Sequence, residues 1–205
     1  MLSGDLVIPE DAMALVLFAH GSGSSRHSKR NQFVAHELHR AGLATLLFDL
    51  LTDEEEAVDV HTAEYRFDIR LLTDRLVRAT RWVRHQKSTP TLQLGYFGAS
   101  TGAAAGLMAA AVIPDMVSAV VSRGGRPDLA GPALPEVRAP TLLIVGGDDE
   151  VVINLNEAAR SEMRCEVKME IIPGASHLFP EAGALEEVAR FSANWFRIKM
   201  SRQVA

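Results

Sequence analysis

The sequence predicts an α/β fold, a parallel sheet covered by helices, and three observations lead there. Short, uniformly apolar runs alternate with longer amphipathic ones along the whole chain. The short runs carry few polar residues on either face, which is what strands buried on both sides require. Three of the four irregular stretches, 20–27, 51–66, 124–139 and 174–181, directly follow an apolar run, where ligands sit in an open α/β sheet. At 205 residues, positions 1–205 are read as one domain with a sizeable core.

The elements follow in order. "MALVLFA" (13–19) reads as a buried strand and "SKRNQFVAHELHRA" (28–41) as a helix stopped by Gly42. "LATLLFDL" (43–50) is a second strand, and the acidic stretch after it carries no period. "DIRLLTDRLVRATRWVRHQ" (68–86) sets Leu71, Leu72, Leu76, Ala79 and Val83 at helical spacing, so one face is buried. "TLQLGYF" (91–97) is a strand, and "TGAAAGLMAAAVI" (101–113) a helix ended by Pro114. Strands follow at "VSAVVSR" (117–123) and "PTLLIVGG" (140–147), then a helix near 153–163, a strand at "EVKMEIIP" (166–173) and a last helix at 184–200.

Composition narrows the function. A net charge of −5 provides no general attraction to nucleic acid or to an anionic membrane surface. The apolar run "AMALVLFA" is too short to span a bilayer and follows acidic residues, unlike a secretory signal. Cys165 is the single cysteine, which excludes an internal disulfide or a multi-thiolate metal site and fits a reducing compartment. A cytoplasmic protein is expected. The sequence assigns no oligomeric state.

Chemistry concentrates on four loops. Gly98-Ala99-Ser100-Thr101-Gly102 fits G-x-S-x-G between a predicted strand and a predicted helix, the context of a nucleophile elbow. Such a turn strains the serine backbone, and its glycines relieve collisions across the turn. A serine hydroxyl needs a base, and the base needs an orienting acid. His177, in "IIPGASHLF", is the one histidine downstream of Ser100 and follows the last predicted strand. The acid comes from "LLIVGGDDEVV", where spacing favours Asp149, with Asp148 the alternative as a turn or capping residue. One oxyanion donor is the backbone N–H of Thr101. The other comes from "AHGSGSS", at Ser22 or, as the alternative, Gly23, with His20 structural.

Taken together, "HGSGSSRHSKRN", "GASTG", "GGDDEVV" and "GASHLF" resemble the α/β-hydrolase superfamily, and within it the dienelactone hydrolase-like group. The resemblance covers nearly the whole chain. It implies a single-domain α/β-hydrolase fold with one antiparallel edge strand, no metal or cofactor, and cleavage of an ester or lactone through an acyl-enzyme. Ser100 would be nucleophile, His177 base, Asp149 its orienter, and Ser22 and Thr101 oxyanion donors. The group's namesake enzymes use cysteine as nucleophile, whereas this elbow holds Ser100, so dienelactone itself is not implied as substrate.

Only "GGRPDLAGPALPEVRA" connects the strands near 117 and 140, too little for a large cap domain, so an open site is expected. Its partner is a small-molecule acyl substrate, with Arg26, His27 and Arg123 or Arg126 flanking the mouth and suited to a carboxylate or phosphate. Two rivals stand beside this reading. A nucleotide-binding domain would use the Gly21-Ser22-Gly23 loop with Asp49 on the ribose, although Arg26 occupies the third glycine position of that motif. A hydrolase fold without turnover is the other. "HELH" (36–39) lacks the spacing of a zinc helix.

Overall fold

The computed structural model describes residues 1–201. Seven strands form one sheet in the order β1-β3-β2-β4-β5-β6-β7. They are β1 (Gly4–Val7), β2 (Ala14–Ala19), β3 (Leu43–Phe48), β4 (Gln93–Ala99), β5 (Ala119–Arg123), β6 (Thr141–Gly146) and β7 (Val167–Ile172). All neighbours run parallel except β1, which pairs antiparallel with β3 at the edge. Strands β2 to β6 are almost wholly buried because helices cover both faces, which is why they read as unbroken apolar runs.

Six helices connect them: α1 (Lys29–Arg40), α2 (Asp53–Thr62), α3 (Ile69–Arg84), α4 (Thr101–Val112), α5 (Glu150–Glu162) and α6 (Ala184–Lys199). Helices α1 and α6 share one face of the sheet, with Val34, Leu38, Val188 and Phe196 in one core. The opposite core holds Leu72, Leu76, Val83 and the alanines of α4. Strands added on opposite sides of β2 make a switch point between β2 and β4. The loops leaving these two strands part to opposite faces, and the crevice between them is where this architecture binds ligands.

The structure departs from the sequence expectation in three places. β1 is absent from the sequence reading because three of its four edge residues are exposed and the half-buried Leu6 alone gives neither an apolar run nor an alternation. The acidic stretch 51–66 is not irregular: residues 53–62 form α2. Thr52 and Glu55 close a reciprocal capping box, and acids fill the first turn where the helix dipole favours them. Among its residues only Asp59 is buried, so no apolar stripe betrays the helix. Within the 124–139 connection, Pro127–Glu136 forms two tight helical turns broken by a kink at Gly131, packed on α4 and α5 without forming a cap domain.

Candidate active site

The turn after β4 is the most constrained point of the backbone. Ser100 has φ +50° and ψ −121°, a conformation that L residues adopt only when their surroundings impose it. Those surroundings are visible. The Ser100 N–H donates to Arg123 O at 3.3 Å, while Ser100 O accepts from Ala103 N–H and Arg126 N–H, both at 3.1 Å. A Cβ at Gly98 would lie 2.4 Å from Ala103 Cα, and one at Gly102 would lie 2.1 Å from Ala19 O. Only glycine permits α4 to start so close to β4 and β2. The Ser100 side chain does not cap α4, and the residue is half-buried.

The second and third loops meet at a hydrogen bond. Asp149, at the N-terminus of α5, receives His177 Nδ1–H on Oδ2 at 2.7 Å. The Asp149 carboxylate makes no capping bond to α5 and is aimed at the ring instead. Asp148 is exposed and uses its backbone N–H on Ala175 O at 3.0 Å. Gly146 lets β6 lie flush under the histidine loop, since a Cβ there would fall 2.3 Å from Ala175 O. Across the loop, Ser176 Oγ donates to Glu181 Oε1 at 2.6 Å. Asp149 fixes the tautomer, so Nε2 is the ring nitrogen left to accept a proton. The side chains of Asp149 and His177 are 17% and 38% exposed, shielded enough to hold geometry yet open to a substrate.

His177 and Ser100 are joined through the end of β5. Gly124 follows Arg123, whose carbonyl holds Ser100. A Cβ at Gly124 would stand 2.9 Å from His177 O and 3.6 Å from His177 Cε1. The elbow and the histidine loop therefore press on the same two residues.

The loop after β2 closes the other side. Gly21 lies against the nucleophile position, its would-be Cβ 3.2 Å from Ser100 Cβ. Ser22 N–H donates to Thr101 Oγ1 at 3.0 Å. The sequence expectation uses only the Thr101 backbone, and the one signal for this side-chain clamp is a hydroxyl amid the small residues of "GASTGAAAG". His20 is buried, and its Nε2 accepts Leu50 N–H at 3.0 Å. Burial lowers its pKa, so it remains a neutral strut between the loop and the end of β3.

The charged residues expected at the mouth separate clearly. Arg26 is tied to the Asp49 carboxylate, which also takes its backbone N–H, and lies 3.6 Å from Asp5. Asp49, the ribose ligand of the nucleotide reading, thus carries an arginine. Arg126 forks onto Asp128 at 2.9 and 2.8 Å. His27 is exposed and Gly23 takes a positive φ of 66°. Arg123 is buried and has no acid partner among the described residues. Arg66, which no sequence pattern marks, lines the cleft with His20, Ser22, Gly23, Leu51 and Glu56. In "HELH", His39 bonds Thr45 Oγ1 at 2.7 Å, and among the described residues no group of three His, Cys, Asp or Glu is placed to hold a metal.

Comparison with known proteins agrees with this fold. Residues 2–198 match the Dienelactone hydrolase family. A dienelactone hydrolase from Anabaena variabilis ATCC 29413 is 59% identical and superposes with a TM-score of 0.96, over 97% of this chain and 92% of that one. An α/β serine hydrolase homologue from Coxiella burnetii, 21% identical, shares the fold with a TM-score of 0.76 over 94% and 90% of the two chains. A Mycobacterium tuberculosis protein given a phosphoribosyl transferase name is 54% identical over 195 residues, 95% of this chain and 43% of its own. The chain thus spans less than half the length of that relative. With the family matched over nearly its whole length and the fold shared with its members, the chain belongs to the dienelactone hydrolase family of α/β-hydrolase enzymes.

Proposed function

We propose that the protein is a serine hydrolase of small carboxylic esters, working through an acyl-enzyme on Ser100. The observation that supports this most is the 2.7 Å bond from His177 Nδ1 to Asp149, which leaves Nε2 as the base at the Ser100 end of the sheet. His177 Nε2 takes the Ser100 proton as Oγ attacks the ester carbonyl, and Asp149 stabilises the resulting imidazolium. The tetrahedral oxyanion is met by the N–H of Thr101, which as the first residue of α4 has no intrahelical acceptor. Ser22 N–H, held in place by Thr101 Oγ1, is the second donor, exchanging the hydroxyl for the oxyanion. Such a donor contributes roughly 3 kcal/mol of transition-state stabilisation.

Collapse breaks the bond to the alcohol oxygen, which leaves with the proton from His177. Water then attacks the acyl-enzyme, giving its proton to His177, and the acid departs as Ser100 recovers its own. No step calls on a metal or an organic cofactor. We read the protein as cytoplasmic, consistent with its single free cysteine. The phosphoribosyl transferase name belongs to a protein more than twice as long as this chain.

Intact-mass spectrometry after treatment with a small fluorophosphonate tests the proposal. One adduct is expected on the wild-type chain, none on Ser100→Ala, and labelling slowed by at least about 100-fold in His177→Ala. An adduct that persists in Ser100→Ala would sink the assignment.

A further inference from the structure

Arg123 is the last residue of β5 and carries a guanidinium that no acid answers among the described residues. It is 7% exposed, and its Nε and Nη1 are buried without an acceptor. Side chains alternate along β5, and Ala119 and Val121 belong to the core under α1 and α6, so Arg123 enters that face. There the guanidinium lies 5.9 Å from the ring centre of Phe179, two residues beyond His177. The charge that bears on it is another cation, Arg30, in the first turn of α1, whose Nε is also buried and unpartnered.

Burial, with Arg30 adding to it, lowers the Arg123 pKa to about 10, which still leaves it protonated at neutral pH. A guanidinium buried without a carboxylate, and a second cation on the first turn of α1 whose Nε is also buried and unpartnered, are a poor arrangement in a protein interior. They make a good one for a bound anion. The forked N–H geometry matches two oxygens of a carboxylate or phosphate, and the N-terminus of the twelve-residue α1 adds favourable field. The other arginines near the crevice are not available in this way, since Arg26 and Arg126 already hold aspartates.

We propose that Arg123 and Arg30 form an anion site under the His177 loop, binding one carboxylate- or phosphate-type oxyanion. The site is coupled to the elbow. Arg123 O accepts the Ser100 N–H, and the adjoining Gly124 touches His177. Its oxyanion comes from one of two sources, a free ion that braces the histidine loop or the charged end of an ester whose carbonyl lies at Ser100. The second source rests on the esterase reading; the first does not.

Two measurements separate them. Thermal unfolding of the wild type, Ser100→Ala, Arg123→Met and Arg30→Met is followed as phosphate or acetate replaces chloride at fixed ionic strength. A saturable rise in Tm is expected for the first two proteins and not for the arginine variants, and it requires no turnover. Hydrolysis of a succinate hemiester is then compared with that of the neutral propionate ester of the same alcohol. If the ion is part of the substrate, the wild type prefers the hemiester by about tenfold in KM, Arg123→Met loses the preference, and phosphate competes. If the ion is free, Tm rises without a preference between esters. No saturable rise and no charge preference, or equal responses in wild type and Arg123→Met, would overturn the site. Failure of both esters to turn over while Tm still rises would count against the esterase reading alone.

Discussion

Arg66 and Arg123 flank the Ser100 end of the sheet and are built into it in opposite ways. Arg66 meets Asp59, whose carboxylate takes Arg66 Nε at 2.5 Å and the backbone N–H groups of Tyr65 and Arg66 at 2.7 and 3.0 Å. Arg66 Nη2 also donates to Asp59 O at 2.7 Å. Around them Arg75 holds Glu55 and Arg26 holds Asp49, so the α2 region matches these charges. Arg123 is more deeply buried and has no acid partner among the described residues. What sets the two arginines apart in role is the counter-charge, which Arg66 has and Arg123, among the described residues, lacks. The matched one fixes the wall of the cleft, and the unmatched one is a place where a ligand has work to do.

The largest effect expected from breaking this contrast is at Asp59. Asp59→Ala removes the acceptor for three donors and strands Arg66, and should cost about 3 kcal/mol of stability in urea unfolding. A loss below about 1 kcal/mol would mean that the network is ornamental. The two arginines then provide the sharper comparison. Arg66→Met leaves Asp59 buried without its ion partner and should cost about 2 kcal/mol. Arg123→Met, in buffer free of oxyanions, removes an uncompensated charge and should change stability by less than about 1 kcal/mol, toward greater stability. Equal losses in the two variants would erase the distinction.

These differences were legible in the sequence to unequal degrees. The sheet was readable because strands covered on both faces are apolar throughout, and the elbow because Gly98 and Gly102 stand where a Cβ would collide with backbone. Asp149 and His177 were readable from chain order, each following a strand end. Helix α2 was not, because its stability comes from a capping box and ion pairs and not from an apolar stripe. Nor was the sorting of arginines: "SRHSKRN" and "SRGGRPD" show several cations apiece, and only folding brings Asp49 to Arg26 and nothing acidic to Arg123. Local pattern reports backbone demands and burial. Charge pairing across 23 residues of chain, as between Arg26 and Asp49, lies beyond it.

His20 provides the smallest and most specific test, because it lines the cleft on the matched side. Burial lowers its pKa below the ordinary 6.5, against the opposing pull of its bond to Gly21 and of the charges on Asp49 and Glu56. The unfolded chain therefore binds more protons than the folded one once pH falls below about 6.5. Stability should decline from there downward, by at most about 1.4 kcal/mol per pH unit for this one proton, and the decline should end below the folded pKa. Protonation also removes Nε2 as acceptor for Leu50 N–H and loosens the loop that carries Ser22. His39, lowered by burial and by His36, contributes a slope of the same sign, so His20→Asn should make the acid limb shallower without abolishing it. Arg26→Met is the informative partner: with Asp49 no longer answered by a guanidinium, its charge acts more fully on His20 and draws the folded pKa back toward 6.5. The slope should shrink although His20 is intact. An unchanged slope in Arg26→Met would show that the acids of the α2 region never reached His20, and that its neutrality owes nothing to the matching of charges beside it.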